Sequence, residues 1–305
     1  LGSVIDITER MRAEEAALRR NAEQAALYAG ARSVLAGGDF ETIARSIFDK
    51  AREVTGARSG YVALLSESGE ENELLFLESG GLACSVDPSL PMPIRGLREI
   101  AYESGEVALD NDFMNSSWVR FMPEGHVALD NVLFAPLPVE GRTVGIIGLA
   151  NKPGGFDEAD RRIAAAMGQL AAVALQKWRA EQEVRSERDR LQVVMQTAPI
   201  AILMADEHER ILQVNRAAEA LFGTAGDITD EPLRCGDVVA CINRHENPGG
   251  CGRGESCASC EVVRAIRDGL AGATVDDLET EIPIEHNSTS ARRQILLSAE
   301  IGRAH

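Results

Sequence analysis

The chain has 305 residues, enough for two domains that each bury a core of their own. Its 48 acidic residues against 31 basic ones give a formal charge of −17, which argues against binding to nucleic acid or to an anionic membrane surface. No apolar run approaches the roughly 20 residues that cross a bilayer, and the first residues lack a signal-peptide pattern, so we expect a cytoplasmic segment.

Residues 1–24 predict the end of a strand followed by a connector helix. Met11, Leu18 and Ala25 stand at seven-residue intervals in a polar, alanine-rich run, which is typical of a helix with one contact face. The stretch VIDITERMRAEEAAL resembles the closing strand, the Asp-Ile-Thr junction and the outgoing helix of PAS sensory domains. We therefore expect residue 1 to be the cut end of a preceding PAS domain.

Residues 25–178 predict a domain in which pairs of strands alternate with helices. Helical spacing predicts helices, and short β-branched runs predict strands, over the following residues: helices 39–55, 97–103 and 157–178, and strands 60–65, 73–77, 132–139 and 143–150. The irregular stretch 108–131 that separates the two pairs of strands is long enough to cover a ligand.

This order of elements, together with the run LPVEGRTVGIIGLANKPGGFDEADRRIAAAMGQLAAVAL, resembles a GAF domain over residues 25–178. The resemblance implies an antiparallel sheet flanked by helices, with a small ligand held between the sheet and the segments that cover one face. Phe113, Trp118, Phe121 and His126 are the candidate pocket residues, because small-molecule sites combine apolar rings with a few polar groups. The alternative is that these side chains only close the core.

Two specialised ligands of GAF domains are not expected. Relatives that bind cyclic nucleotides carry an Asn-Lys, a Phe and an Asp-Glu pair; Lys152, Phe156 and Asp160 match, but Arg161 replaces the Glu, and in that family the Lys and Asp pair structurally. A bilin needs a histidine beside its attachment cysteine, whereas Cys84 is followed by serine. Cys84 is predicted to be a small core side chain.

Residues 179–196 predict a signalling helix with a charged surface. Val184 and Leu191 lie one heptad apart, and helices of this kind between sensory domains usually pair in parallel. We expect a homodimer formed through this helix and the N-terminal connector helix. The alternative is a solvated helix that pairs with nothing.

Residues 197–305 resemble a PAS domain. The stretch PIAILMADEHERILQVNRAAEALFG indicates two strands, a polar turn and a helix that begins after Asn215. A later helix at 262–270 and alternating strands at 278–284 and 295–301 follow. The last strand of the family is missing from this pattern. The predicted fold class is α+β, with GAF and PAS domains, each an antiparallel sheet flanked by helices, joined by a long connector helix.

Five of the six cysteines fall within residues 235–260. Thiolates that bind zinc or an iron–sulfur cluster must converge on one point, and a C-x2-C pair joined to other cysteines by glycine-rich chain often achieves this. We expect Cys241, Cys251, Cys257 and Cys260 to bind one metal centre, zinc first and an iron–sulfur cluster second, with Cys235 as an alternative ligand. Isolated buried thiols or disulfides are the alternatives.

This cysteine-rich insert resembles a PAS variant of sensor kinases in which a Gly-Cys-Gly segment precedes C-x5-C-x2-C. Neither flavin nor haem is expected, because the sequence lacks the flavin-binding cysteine helix and has no histidine at 262–270. No P-loop, nucleophile elbow or kinase ATP-site motif can be identified.

The resemblance therefore implies the sensory and dimerisation segment of a signal-transduction protein. The effector domain expected beyond residue 305 is a histidine kinase that acts on a response regulator, and a cyclase or a transcription regulator is the alternative output. A second hypothesis is a thiol-based redox enzyme that uses Cys257 and Cys260, with one thiolate stabilised at a helix N-terminus.

Overall fold

The computed structural model describes residues 6–81, 85–87, 90–223, 233–286 and 289–300, and the chain divides between Val184 and Arg185 into two compact units. Its elements are α1 (Thr8–Ala36), α2 (Phe40–Thr55), β1 (Ser59–Leu65), β2 (Asn72–Glu78), α3 (Leu97–Ser104), β3 (Ala108–Asp110), β4 (Val132–Val139), β5 (Arg142–Ala150), α4 (Glu158–Thr197), β6 (Leu203–Ala205), β7 (Ile211–Val214), α5 (Arg216–Phe222), α6 (Cys235–Val238), α7 (Glu261–Leu270), β8 (Val275–His286) and β9 (Thr289–Ala299). Residues 1–5 of the predicted first strand, and Cys84, lie outside the described residues.

The first unit contains a five-stranded antiparallel sheet with the strand order β2-β1-β5-β4-β3. In β1, Tyr61 lies opposite Leu77 of β2 on one side and Gly148 of β5 on the other. The four predicted strands and the β1–β2 hairpin are confirmed. The stretch predicted to be irregular, 108–131, also contains β3 and two short 3₁₀ turns, which are too short to produce a hydrophobic period.

Alternate side chains of these strands face two different hydrophobic clusters, because successive residues of a strand point to opposite faces. Val62 and Ile147 pack into the larger cluster with the buried residues of α1, α2 and α4. Tyr61 and Ile146, one position away on the same two strands, pack into a smaller cluster with α3 and the first 3₁₀ turn. We call this smaller cluster the α3 cluster.

Helix α2 confirms the helix predicted at 39–55. Asp39 caps it by accepting a hydrogen bond from the backbone N–H of Thr42 at 2.9 Å, and Gly56 ends it with a left-handed φ of 76°. Its face buries Ile47 and Phe48 completely. The helical spacing of the sequence was therefore a correct guide to its buried side.

Helix α4 runs without a break for 40 residues, so the helix predicted at 157–178 and the connector predicted at 179–196 are one element. Met167 and Leu175 are fully buried in the first unit, whereas Val184 and Leu191 are 71% and 60% exposed. In the part of the chain that the structure describes, no helix combines the length and the apolar character needed to cross a membrane.

The second unit contains two separate antiparallel hairpins, β6–β7 and β8–β9. The predicted strands and helices are found, with β8 and β9 longer than expected; Ile301 lies outside the described residues. Helix α7 packs against both strands of the second hairpin. The core of this unit is a small cluster of buried side chains from α7, β8 and the chain that follows α6: Val239, Val262, Ile282 and Ile284.

Candidate functional site

Three backbone segments bring the cysteines of the second unit together. Cys235 begins α6, and the backbone N–H of Cys241 donates to the carbonyl of Gly236 at 2.8 Å, so the chain turns back on α6. Cys257 lies in a 3₁₀ turn, and Cys260 is the residue that precedes the first turn of α7. Turns on either side of the glycine-rich loop thus place all five cysteines around α6 and the start of α7.

Glycine allows the central thiols to approach the backbone closely. A Cβ atom on Gly236 would lie 2.7 Å from Sγ of Cys251, so only glycine fits beside that thiol. The N–H of Gly252 donates a hydrogen bond to Sγ of Cys257 at 3.2 Å. Cys251 and Cys257 are both 8% exposed, so these two sulfurs are packed inside the unit.

Contacts place the remaining thiols nearby, because Cys235, Cys241 and Cys260 all pack against the same small cluster of buried side chains. Burial raises the pKa of Cys235 to about 12, and repulsion from Cys251, Cys260 and Cys241 adds to the effect. Burial likewise raises the pKa of Cys251 to about 11, with repulsion from Cys257, Cys241 and Cys260 as a further cause. The pKa of Cys241 is also raised, first by burial. The five thiols therefore form one cluster, here called the cysteine cluster.

An ionic contact that the sequence did not suggest fixes the loop of this cluster. Glu209, in the turn between β6 and β7, accepts a hydrogen bond from Arg234 Nη1 at 2.7 Å and another from Arg267 Nε at 2.8 Å. Arg267 also donates to the carbonyl of Gly252 at 2.9 Å. This Glu209 clamp joins the β6–β7 turn, the start of α6, helix α7 and the cysteine loop.

The positions of the side chains also determine whether they can bind a metal ion. Among the described residues, no group of three or more His, Cys, Asp or Glu side chains is arranged to hold a metal ion. The thiols of the cysteine cluster are close neighbours, but they do not converge on one point in this structure. The predicted metal centre at Cys241, Cys251, Cys257 and Cys260, with Cys235 in reserve, stays a prediction.

The candidate pocket residues of the first unit occupy two places. Phe113 is buried in the α3 cluster, and Trp118 packs against that cluster. Phe121 lies over Gly96, where a Cβ atom would be 2.8 Å from its ring, and the guanidinium of Arg95 lies 5.6 Å from the ring centroid. His126 contacts the carbonyl of Val127 through Nδ1 at 2.8 Å. Phe113 and Trp118 are thus together, whereas His126 interacts with its own loop.

The partial cyclic-nucleotide pattern has a structural role. Lys152 Nζ forms an ion pair with Asp160, whose side chain is 1% exposed. Arg19 of α1 donates to the same carboxylate at 3.0 Å and to Asp157 at 2.6 and 2.9 Å. The Lys and Asp therefore pair, as the resemblance implied, and they join α1 to the start of α4.

A five-stranded antiparallel sheet covered on both faces, followed by a long helix and a smaller α+β unit, is the architecture of tandem sensory modules. The family model of the GAF domain matches residues 38–176, and that of the PAS domain matches residues 189–255. The chain therefore contains a GAF domain followed by a cysteine-rich PAS domain, as predicted. These two domains make it a sensory segment of the kind used in signal transduction.

Several solved structures are similar to the chain. A GAF domain of a phosphoenolpyruvate-protein phosphotransferase from Coxiella burnetii has 18% identity and a TM-score of 0.46, covering 53% of this chain and 96% of that one. Free methionine-R-sulfoxide reductase from Neisseria meningitidis has 18% identity and a TM-score of 0.45, covering 59% and 97%. The GAF domain of a putative sensor histidine kinase from Pseudomonas syringae pv. tomato has 15% identity and a TM-score of 0.39, covering 57% and 99%. No match to a curated protein was found.

Proposed function

We propose that this chain is the sensory and dimerisation segment of a sensor histidine kinase, in which the PAS domain responds to metal or redox state and the GAF domain to a small ligand. The observation that carries the proposal is the cysteine cluster, five thiols gathered within one small unit. The kinase output and its response regulator rest on the resemblance of the sequence to sensor kinases. A cytoplasmic location follows from the same resemblance.

The chemistry of the cluster supports a role in sensing rather than in packing alone. Burial raises the pKa of Cys235 and of Cys251, so both are protonated thiols at neutral pH, and a metal ion that binds them would displace their protons. The loop between Cys241 and Cys257 carries Gly249, Gly250, Gly252 and Gly254, whose backbone freedom would let the thiols move toward one ion. Zinc is the first candidate and an iron–sulfur cluster the second.

Elemental analysis and thiol titration test the cluster. The full chain, purified without oxygen, is expected to contain close to one metal centre, and its cluster thiols should react with a thiol reagent only after chelation. An iron–sulfur centre would be brown and would bleach in air, whereas zinc is colourless. Cys251→Ser should lower the metal content, and Cys84→Ser, outside the cluster in sequence, is the matched control.

A metal-free cluster would have a different signature. Mild oxidation would then remove titratable thiols in pairs from the wild type and from the Cys84→Ser variant alike. A chain with neither metal nor oxidant-dependent loss of thiols would refute sensing by the cluster. The redox-enzyme hypothesis additionally needs an exposed attacking thiolate; Cys257 is 8% exposed, and Cys260, at the start of α7, is half-buried against the core of the PAS domain.

The homodimer is proposed to form through α1 and the C-terminal half of α4. Met11 and Leu18 on α1 are 46% and 64% exposed, and Val184 and Leu191 on α4 are 71% and 60% exposed. Large apolar side chains are usually buried, so these four are available for contact with a second chain. The double variant Val184→Asp with Leu191→Asp places two charges in the proposed contact between the helices, so it should raise the dimer dissociation constant, measured by sedimentation, at least tenfold. Leu77→Asp, on the edge strand β2, is the control and should leave association unchanged. A wild-type monomer would refute the dimer.

A further inference from the structure

Two buried polar groups next to the α3 cluster have no hydrogen-bond partner among the described residues. The hydroxyl of Tyr61 and the Nδ2 group of Asn72 have none, although these residues are only 9% and 5% exposed. Such groups are rare in folded proteins, because burial removes the hydrogen bonds that water would supply. Ser59 and Thr143 also have unpaired hydroxyls among the described residues, whereas Tyr61 and Asn72 lie near polar side chains of α3.

Helix α3 supplies those groups. Tyr102 donates its hydroxyl hydrogen to Oδ1 of Asn72 at 2.6 Å, which leaves the amide N–H groups of Asn72 free to face a ligand. Arg98, one turn earlier, donates to the carbonyl of Pro93 at 3.3 Å. Burial raises the pKa of Tyr61 and of Tyr102, and Arg98 acts in the opposite direction through its charge on both and through a polar contact with the hydroxyl oxygen of Tyr61, so the guanidinium lies near both hydroxyls.

The position of Tyr61 is fixed by its neighbour on β5. A Cβ atom on Gly148 would lie 2.6 Å from the ring of Tyr61, so the ring lies flat against a backbone that only glycine leaves bare. The ring is therefore held in place, while the hydrogen of its hydroxyl has no acceptor in the described part of the chain. Arg98 and Tyr102 are half-buried, which gives the polar group a route to the surface at α3.

The unused groups are donors, and one of their neighbours is a cation. A ligand that satisfies the Tyr61 hydroxyl, the Asn72 amide and the Arg98 guanidinium must offer several acceptor oxygens, and a negative charge would be favoured. The adjoining α3 cluster, with Phe113 and Trp118, offers apolar contacts for the remainder of such a molecule. We propose that the GAF domain binds a small carboxylate with an apolar body through Tyr61, Asn72 and Arg98. This inference rests on the proposed role of the GAF domain as a ligand sensor.

Trp118 can report binding directly. The chain has two tryptophans, so Trp178→Phe leaves Trp118 as the single fluorophore. In this background the full chain is titrated with benzoate, acetate and succinate and with the corresponding neutral amides. We expect a saturable change with at least one carboxylate and at least tenfold weaker binding of its amide, because a hydrogen bond to a charged group contributes about this factor or more.

Variants identify the donors. Tyr61→Phe removes only the unpaired hydroxyl, so it should keep or raise Tm while lowering carboxylate affinity at least tenfold. Tyr28→Phe, at a tyrosine that is 68% exposed on α1, is the matched control and should change neither value. Arg98→Gln should abolish the preference for the carboxylate over the amide. Loss of binding together with unchanged Tm in Tyr61→Phe would support a ligand contact rather than a structural role.

Three results would overturn the inference. Equal affinities for the carboxylate and its amide would refute the charge preference while leaving a ligand-sensing GAF domain intact. Unchanged affinity in Tyr61→Phe would remove the proposed donor. No response to any of the six probes would refute the carboxylate site itself, and the tests of the cysteine cluster and of the dimer would be unaffected.

Discussion

Asn215 makes four hydrogen bonds from a side chain that is fully buried, and replacing it with aspartate separates two explanations of its role. Its Oδ1 accepts from the N–H groups of Ile202 and Ala218, each at 2.9 Å. Its Nδ2 donates to the carbonyls of Met195 at 3.0 Å and Ile200 at 2.8 Å. The side chain therefore joins the end of α4, the segment before β6 and the start of α5.

The Asn215→Asp change keeps the acceptor and removes the donor. If Asn215 acted only as the cap of α5, aspartate would serve as well, and the free energy of unfolding would change by less than about 0.5 kcal/mol. In this structure the new carboxylate oxygen would instead face two carbonyl oxygens. Two carbonyls left unsatisfied at about 1–3 kcal/mol each, together with the repulsion between the carboxylate and their oxygens, predict a loss of at least about 3 kcal/mol. That is a large share of the ~5–15 kcal/mol stability of a domain.

The assay must observe the PAS domain itself. Both tryptophans, Trp118 and Trp178, precede the division between the two units, so their fluorescence reports the GAF domain. Hydrogen exchange of the full chain, measured on peptides from residues 200–222, should be about a hundredfold faster in Asn215→Asp. Asn21→Asp, at an exposed position of α1, is the control for the added charge. Exchange in Asn215→Asp that matches the wild type would refute the four-bond account.

Three further predictions concern the GAF domain and can be followed by tryptophan fluorescence. Asp160→Asn should lower the free energy of unfolding by about 1.5–3 kcal/mol, because Lys152, which is 16% exposed, loses its charged partner, while Arg19 keeps Asp157. Hydrogen bonds from Arg19 hold the pKa of Asp157 below its usual range, so the stabilisation by this contact is present above about pH 4 and disappears as pH falls through the lowered pKa. Arg19→Gln should therefore lower the free energy of unfolding at pH 7 by no more than about 1 kcal/mol, because the contact is half-exposed, and by much less at pH 2. Gly168→Ala should lower the free energy of unfolding of the GAF domain by about 1–3 kcal/mol, because the new Cβ would lie 2.3 Å from the carbonyl oxygen of Pro136 in β4; this clash outweighs the better helix propensity of alanine. An unchanged unfolding midpoint would contradict this packing.

The regular elements could be predicted from their apolar residues. Strands β4 and β5 are buried on both faces and form nearly continuous apolar runs, whereas helix α2 repeats its apolar residues at helical spacing. The structure places all three within a residue or two of the predicted bounds. Asn215 was also predicted correctly as the residue before a helix. Its bonds to Met195 and Ile200 could not be predicted, because an asparagine cap looks the same in sequence whether its amide is free or buried.

The Glu209 clamp had no signal in the sequence. Glu209 follows Asp206 and Glu207 in a polar turn, which predicts a solvated loop, and its partners Arg234 and Arg267 lie 25 and 58 residues further on. Its positive φ of 63° is a backbone state that sequence patterns rarely reveal for glutamate. The unpaired donors of Tyr61 and Asn72 were missed for a similar reason, since a tyrosine in a strand predicts core and not a free hydroxyl.

The cysteine cluster is also part of the hydrophobic core of the PAS domain, and this double role has a physical consequence. Cys235, Cys241 and Cys260 pack against the cluster of buried side chains that contains Ile284, and Cys241 forms a β-bridge with Ile284. A thiol behaves as a small apolar side chain, and packed interiors tolerate little displacement. Any chemistry that moves these sulfurs must therefore shift the contacts of β8 and α7. Because Arg267 of α7 also holds Glu209, such a shift would act on the β6–β7 turn as well.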